Sequence, residues 1–96
     1  MKPYRTYEEV KKKWMSNPIF KKEYEALRPK YEIIDAIIAR RLEKGFTQKA
    51  LAKKVGTAQA NISRVEVGKV TPTIDFLQKL AEALDAKLKI TLQPRS

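Results

Sequence analysis

GFTQKALAKKVGTAQANISRVEVGKVTP, residues 45–72, decides how this chain is read. Thr47 is placed to cap a helix from Gln48 to Val55, with Leu51, Ala52 and Val55 on its apolar face. Gly56 ends that helix and makes a tight turn, because glycine takes the left-handed conformation that closes a helix. Thr57 is placed to cap a second helix from Ala58 to Val67, with Ile62 and Val65 inward, and Gly68 ends it. The stretch therefore predicts two short helices joined by a turn. The second helix begins with small and polar residues.

The flanking chain supplies partners for those faces. Upstream, Pro29 starts a helix from Lys30 to Lys44, with Ile33, Ile34, Ile37, Ile38, Arg41 and Leu42 on a core-facing stripe, and Gly45 ends it. Downstream, Pro72-Thr73 precedes a helix from Ile74 to Leu84 that turns Ile74, Leu77, Leu80, Ala81 and Leu84 inward. Leu88, Ile90 and Leu92 then alternate with Lys87, Lys89 and Thr91, which predicts a strand from Lys87 to Gln93 closed by Pro94. At the other end, Thr6 and Glu9 make a capping box for a helix from Tyr7 to Met15, with Val10 and Trp14 on one face. Asn17-Pro18 opens a further helix from Pro18 to Leu27, carrying Phe20, Tyr24 and Leu27. The expected organisation is mostly α: a helical arm at 1–29, a helical domain at 30–86, and a short C-terminal β-strand and tail at 87–96. There is no internal repeat and no low-complexity tract.

Ninety-six residues suggest one small domain with an arm. The chain has no cysteine and no histidine, which removes disulfides, thiol nucleophiles, the commonest general base and the commonest zinc ligand. No enzymatic activity, cofactor or metal is expected. No apolar run approaches the roughly 20 residues that span a bilayer, and MKPYRTYEEV lacks the apolar core of a signal peptide, so a cytoplasmic protein is expected. Lys and Arg number 21 against 11 Asp and Glu, a net +10 that favours a polyanionic partner. The excess is uneven. Residues 1–30 carry +5 and residues 45–72 carry +4, whereas residues 31–44 balance.

A helix start exposes backbone N–H groups that bind phosphate. In a helix-turn-helix, the second helix reads base edges from its first turns while the first helix crosses the backbone. Near the start of that second helix Ala58, Gln59, Ala60, Ser63 and Arg64 face outward, since the core takes Ile62 and Val65. Gln pairs with adenine, Arg with guanine, and Ala touches the thymine methyl. Lys49, Lys53, Lys54 and Lys69 lie nearby for phosphates. The same residues also suit an ordinary solvated surface, and a helix-turn-helix also serves as a protein-binding module.

GFTQKALAKKVGTAQANISRVEVGKVTPT resembles the helix-turn-helix of the lambda-repressor/Cro type, the XRE family. The Thr47-Gln48 start, Leu51-Ala52, Val55-Gly56-Thr57, Ile62-Ser63-Arg64 and Glu66 before Gly68-Lys69 carry the match, over roughly Ile33 to Leu84. The resemblance implies a five-helix, lambda-repressor-like domain. It implies that Gln48 touches a phosphate and that Ala58, Gln59, Ala60 and Arg64 meet bases. It also implies that Arg41 pairs internally with Glu66. With Lys49, Thr57, Ser63 and Lys69, these make the expected DNA-binding set. Val67 departs from a usual polar residue, and Ala58 and Ala60 offer less hydrogen bonding than many relatives do.

SNPIFKKEYEALRPKYEIIDAIIARRLEKG resembles the start of HigA-type antitoxins, which combine such an arm with an XRE domain. That resemblance implies a partner, a HigB toxin of the RelE-like class of mRNA endonucleases, and repression of the antitoxin's own operon. Tyr7, Val10, Trp14, Ile19, Phe20, Tyr24 and Leu27 are the expected toxin-binding anchors, as aromatic and aliphatic side chains dominate interfaces. Alternatively they pack on the chain's own domain, and the protein is a stand-alone XRE repressor. A lone strand needs a partner for its backbone groups. Leu88, Ile90 and Leu92 are therefore expected to join two copies, or else to extend a toxin sheet; a dimer sets two reading helices roughly 34 Å apart on a pseudo-palindromic operator.

Overall fold

The computed structural model describes residues 16–95, except the side chain of Phe20. Five helices follow one another among them: α1 Pro18–Ala26, α2 Arg28–Glu43, α3 Gln48–Val55, α4 Gln59–Glu66 and α5 Ile74–Ala83. The first belongs to the arm and the other four build the domain. The expected helix from Tyr7 to Met15 lies outside the described residues.

Local chemistry sets the helix starts. Asn17 Oδ1 accepts the Ile19 N–H at 3.0 Å ahead of α1. Thr47 Oγ1 accepts the Ala50 N–H at 3.0 Å, and Thr73 Oγ1 accepts the Phe76 N–H at 3.1 Å. Such caps contribute about 1 kcal/mol each. Helix α2 has no side-chain cap and starts at Arg28, two residues before Lys30. Pro29 fits in its first turn, where a missing N–H breaks no helical bond.

Four short helices reach stability by sharing one core, since helices of this length are marginal alone. Ile37 of α2, Leu51 and Ala52 of α3, Ile62 and Val65 of α4, and Leu80, Ala83 and Leu84 at the end of α5 form it. Phe46, Val55, Phe76 and Leu77 pack at its edge. Arg40 ties α2 to the end of α5. Its Nε donates to the Leu84 carbonyl and its Nη2 to the Asp85 carbonyl, both at 2.9 Å. A cation there meets the negative end of the helix dipole. Among the described residues, no helix is long and apolar enough to cross a membrane.

Three expectations are corrected. Leu42 is 63% exposed, because Ile38 already sits at the rim of the α2 stripe and one more turn rotates Leu42 outward. Ile74 is 61% exposed, because it opens α5 before that helix reaches the core. The strand from Lys87 to Gln93 does not form. Those residues carry no regular secondary structure, and a ladder needs a second strand that the described residues do not contain.

The arm joins the domain through stacked rings. Tyr24 of α1 lies on Tyr31 of α2, with centroids 5.3 Å apart and planes 16° from parallel. Arg28 bridges the junction, 3.0 Å from Glu32 and 3.4 Å from Glu25. Those partners, Glu32 foremost, hold its pKa above the ordinary value. Exposed pairs of this kind add little stability.

The core makes a direct prediction. Leu51→Ala should lower the unfolding free energy by about 2–5 kcal/mol, since Leu51 is fully buried. Leu42→Ala should change it by no more than about 0.5 kcal/mol. Urea denaturation followed by circular dichroism measures both.

Candidate nucleic-acid interface

The site is built on the α3–α4 turn. Gly56 has φ +86°, a left-handed conformation that strains any residue with a Cβ. The N–H groups of Gly56 and Thr57 both donate to the Ala52 carbonyl at 2.9 Å, which closes α3 and turns the chain. Leu51, Ala52, Ile62 and Val65 are buried on the shared inner side. That burial leaves Gln59, Ala60 and Arg64 exposed on α4, with Ser63 half-buried.

Thr57 does not cap α4, contrary to expectation. Ala58 takes the N-cap position and supplies no side-chain bond. The first N–H groups of α4 therefore have no side-chain acceptor from the cap, which leaves the helix start open to an anion. The Thr57 hydroxyl instead accepts from Asn61 Nδ2 at 2.8 Å, and Asn61 Oδ1 accepts from Arg64 Nη1 at 3.0 Å. Asn61 is absent from the outward set read from the sequence. Its spacing, four residues after Thr57 and three before Arg64, is the signal that marks it.

Behind this face, Arg41 and Glu66 make a fork. Arg41 Nε lies 2.7 Å from Glu66 Oε2, and Arg41 Nη2 lies 2.9 Å from Glu66 Oε1. Both side chains are largely buried. Arg41 Nη1 donates to the Phe46 carbonyl at 2.9 Å, and Gln48 Nε2 donates to Glu66 Oε1 at 3.1 Å. One carboxylate thus links α2, the first residue of α3 and the last residue of α4. Gln48 is half-buried in this network at the edge of the α3 start.

Lys49, Lys53, Lys54 and Lys69 are exposed around these two helices. The Lys54 ammonium sits over the Phe46 ring, 5.0 Å from its centroid. The surface is cationic, carries hydrogen-bond donors and acceptors, and has no grouping of three or more potential metal ligands among the described residues. Exposed cations of this kind suit contact with a polyanion.

The remaining sequence-read residues lie elsewhere. Tyr7, Val10 and Trp14 fall outside the described residues, as does the side chain of Phe20. Ile19 is 75% exposed and Leu27 is also exposed. Tyr24 is only 6% exposed, so it is a contact within the chain and not a free anchor. Leu88 is half-buried, and Leu92 is 99% exposed. A groove of about 780 Å³ separates the start of α2 from the segment at 88–93.

Comparison with known proteins matches residues 37–90 to the helix-turn-helix family. Two relatives, each named Antitoxin HigA1 and found in two strains of Mycobacterium tuberculosis, are 33% identical over 78 residues. The match covers 81% of this chain and 52% of each relative, so the chain spans about half the length of the curated relatives it matches. A 78-residue stretch of a 96-residue chain takes in residues 19–78 wherever it starts, so the similarity runs through α1 as well as α3 and α4. No solved structure matches the chain significantly.

The fork makes the next prediction. Arg41→Ala should destabilise the fold by about 3–5 kcal/mol, because it strands a buried carboxylate. Arg41→Lys should recover only part of this, because an ammonium cannot make the planar two-point contact. Urea titration of the three proteins measures the order.

Proposed function

The chain belongs to the helix-turn-helix family, and from that premise we propose that it is the antitoxin of a type II toxin–antitoxin pair. It represses its own operon by binding operator DNA and neutralises a HigB/RelE-like mRNA endonuclease toxin. The observation that carries this reading is an exposed, uncapped start of α4 on a basic surface, in a chain whose similarity to proteins named Antitoxin HigA1 extends through α1.

In this reading α4 enters the major groove by its N-terminal end. Ala58, Gln59, Ala60, Ser63 and Arg64 meet base edges, with Thr57 at the turn beside them. Gln48, Lys49 and Lys69 hold phosphates and set the register without reading sequence. Binding should weaken steeply with salt, since each neutralised phosphate releases counterions.

The division of labour is then an arm at 1–29 for the toxin, a DNA-binding domain at 30–86 and a dimer contact at 87–96. Among the described side chains of α1 and its junction, Ile19 and Leu27 are large, apolar and exposed. Ile90 and Leu92 are exposed apolar side chains of the tail, suited to burial against a second copy, and that contact requires no strand. A second reading is a stand-alone repressor of the same family. The stacking of Tyr24 on Tyr31 favours it, because part of the arm completes the chain's own fold.

Two measurements test the proposal. Arg64→Ala should weaken binding to the chain's own upstream DNA by about 1–3 kcal/mol, with affinity for a scrambled duplex unchanged. Fluorescence anisotropy reads both, and unaltered upstream affinity would show that α4 is not the reading helix. Co-expression with a RelE-like reading frame beside the gene should restore growth of cells carrying that toxin. Ile19→Asp should lose the rescue while keeping DNA affinity. Specific DNA binding without any rescue by the unaltered chain would leave the stand-alone repressor as the function.

A further inference from the structure

Arg64 is not a free side chain. Among the residues of α4 that point away from the core it is the one cation, and it is held from behind by a relay that starts at the turn. Thr57 Oγ1 accepts from Asn61 Nδ2 at 2.8 Å, and Asn61 Oδ1 accepts from Arg64 Nη1 at 3.0 Å. Both links run between exposed or half-buried side chains one helical turn apart.

The relay has a direction, and the direction has a chemical consequence. An asparagine amide offers an oxygen at one end and an NH2 at the other. Beside an arginine only the oxygen is useful, because two donors facing one another repel. Arg64 only donates, so it takes the carbonyl oxygen, and the NH2 at the other end is anchored by the Thr57 hydroxyl, which can accept. Thr57 itself is held by the turn, where its own N–H donates to the Ala52 carbonyl at 2.9 Å. The orientation of the Arg64 side chain is thereby referred back to the α3–α4 turn.

The contact also leaves Arg64 competent to read. A guanidinium carries five N–H donors in a rigid plane. Asn61 engages one nitrogen, Nη1, and the Nε–Nη2 edge keeps the paired donors that a guanine N7 and O6 require. A long arginine on an exposed helix otherwise loses rotamer freedom when it binds, and each immobilised side chain of this kind weakens binding. Holding it beforehand removes part of that loss.

We propose that Asn61, anchored by Thr57, is a positioning residue that presets the Arg64 guanidinium for bidentate reading of a guanine and so sets specificity at that base pair. This inference rests on the reading of α4 as the DNA-contacting helix. It assigns Asn61 no contact with DNA and places its effect in discrimination, not in general affinity.

The test uses the full chain, a duplex of its own upstream region, the same duplex carrying single base-pair changes, and a scrambled duplex. The pair that Arg64 reads is the one at which Arg64→Ala loses discrimination. At that pair Asn61→Ala should cut discrimination by about tenfold, within the range a bidentate contact supplies. Its affinity for the scrambled duplex and its salt dependence should stay as in the unaltered chain, because no phosphate contact is touched. Thr57→Val keeps the shape of the side chain and deletes the hydroxyl, so it should reproduce the loss, while Thr57→Ser should restore it. The double variant Thr57→Val/Asn61→Ala should be no worse than Asn61→Ala alone, because both act on one relay. Full discrimination by Asn61→Ala overturns the proposal, and so do independent, additive losses in the double variant. A uniform drop on all duplexes also overturns it, since that marks a phosphate contact or a folding defect. If the unaltered chain itself fails to prefer its upstream duplex over the scrambled one, the reading of α4 fails first. That outcome is distinct from a variant that binds specifically but is unaffected.

Discussion

A buried guanidinium–carboxylate fork holds α4 in place. Arg41 comes from the last turn of α2, Glu66 from the end of α4, and the Phe46 carbonyl and Gln48 amide complete the set. Apolar burial alone would keep α4 against the core, but burial has no direction and tolerates rotation about the helix axis. The fork has two parallel bonds in one plane, so it selects one rotation. Gln48 is bound to the same carboxylate, which couples the start of α3 to the end of α4. The start of α3 and the end of α4 are thus set by one internal charge pair. Its contribution is geometric more than energetic, because desolvating the two ions offsets much of their attraction.

That constraint lets a small domain serve as a rigid platform. Helices α3 and α4 have eight residues each and are marginal by themselves. They become firm through Leu51 and Ile62, which are fully buried, and through the left-handed Gly56 turn. With the backbone held, side-chain positions on the outer face of α4 acquire meaning. Arg64 is a defined donor only because Asn61 and Thr57 stand behind it on a helix that does not turn.

Much of this was legible in local patterns. Thr47 and Thr73 cap their helices because a hydroxyl three residues before an unpaired N–H has an acceptor to offer wherever the helix sits. Leu51, Ile62 and Val65 were readable as core because the 3.6-residue period places them on one side. Leu42 lies past the rim of its stripe, while Ile74 obeys the same period and yet faces water. Periodicity gives the face of a helix, not the length over which a neighbour covers it. Alternation at Leu88, Ile90 and Leu92 likewise states a preference for a strand, and the missing neighbour decides against it. Tyr24 looked like a surface anchor because nothing local says that Tyr31 waits one helix later.

By itself the sequence determined the order and approximate extent of the helices, the inward faces of α3 and α4, the placement of positive charge, and the absence of cysteine and histidine. These depend on residue type and on spacings of four or fewer, which a chain expresses before it folds. Tertiary structure decided the rest: which apolar residues stay exposed, that Tyr24 of α1 stacks on Tyr31 of α2, and that Asn61 bonds to both Thr57 and Arg64. Local spacing brings Asn61 near both neighbours. The donor-only Arg64 takes the oxygen of the Asn61 amide, and the Thr57 hydroxyl, on a turn closed by the Gly56 and Thr57 N–H groups on the Ala52 carbonyl, anchors the other end.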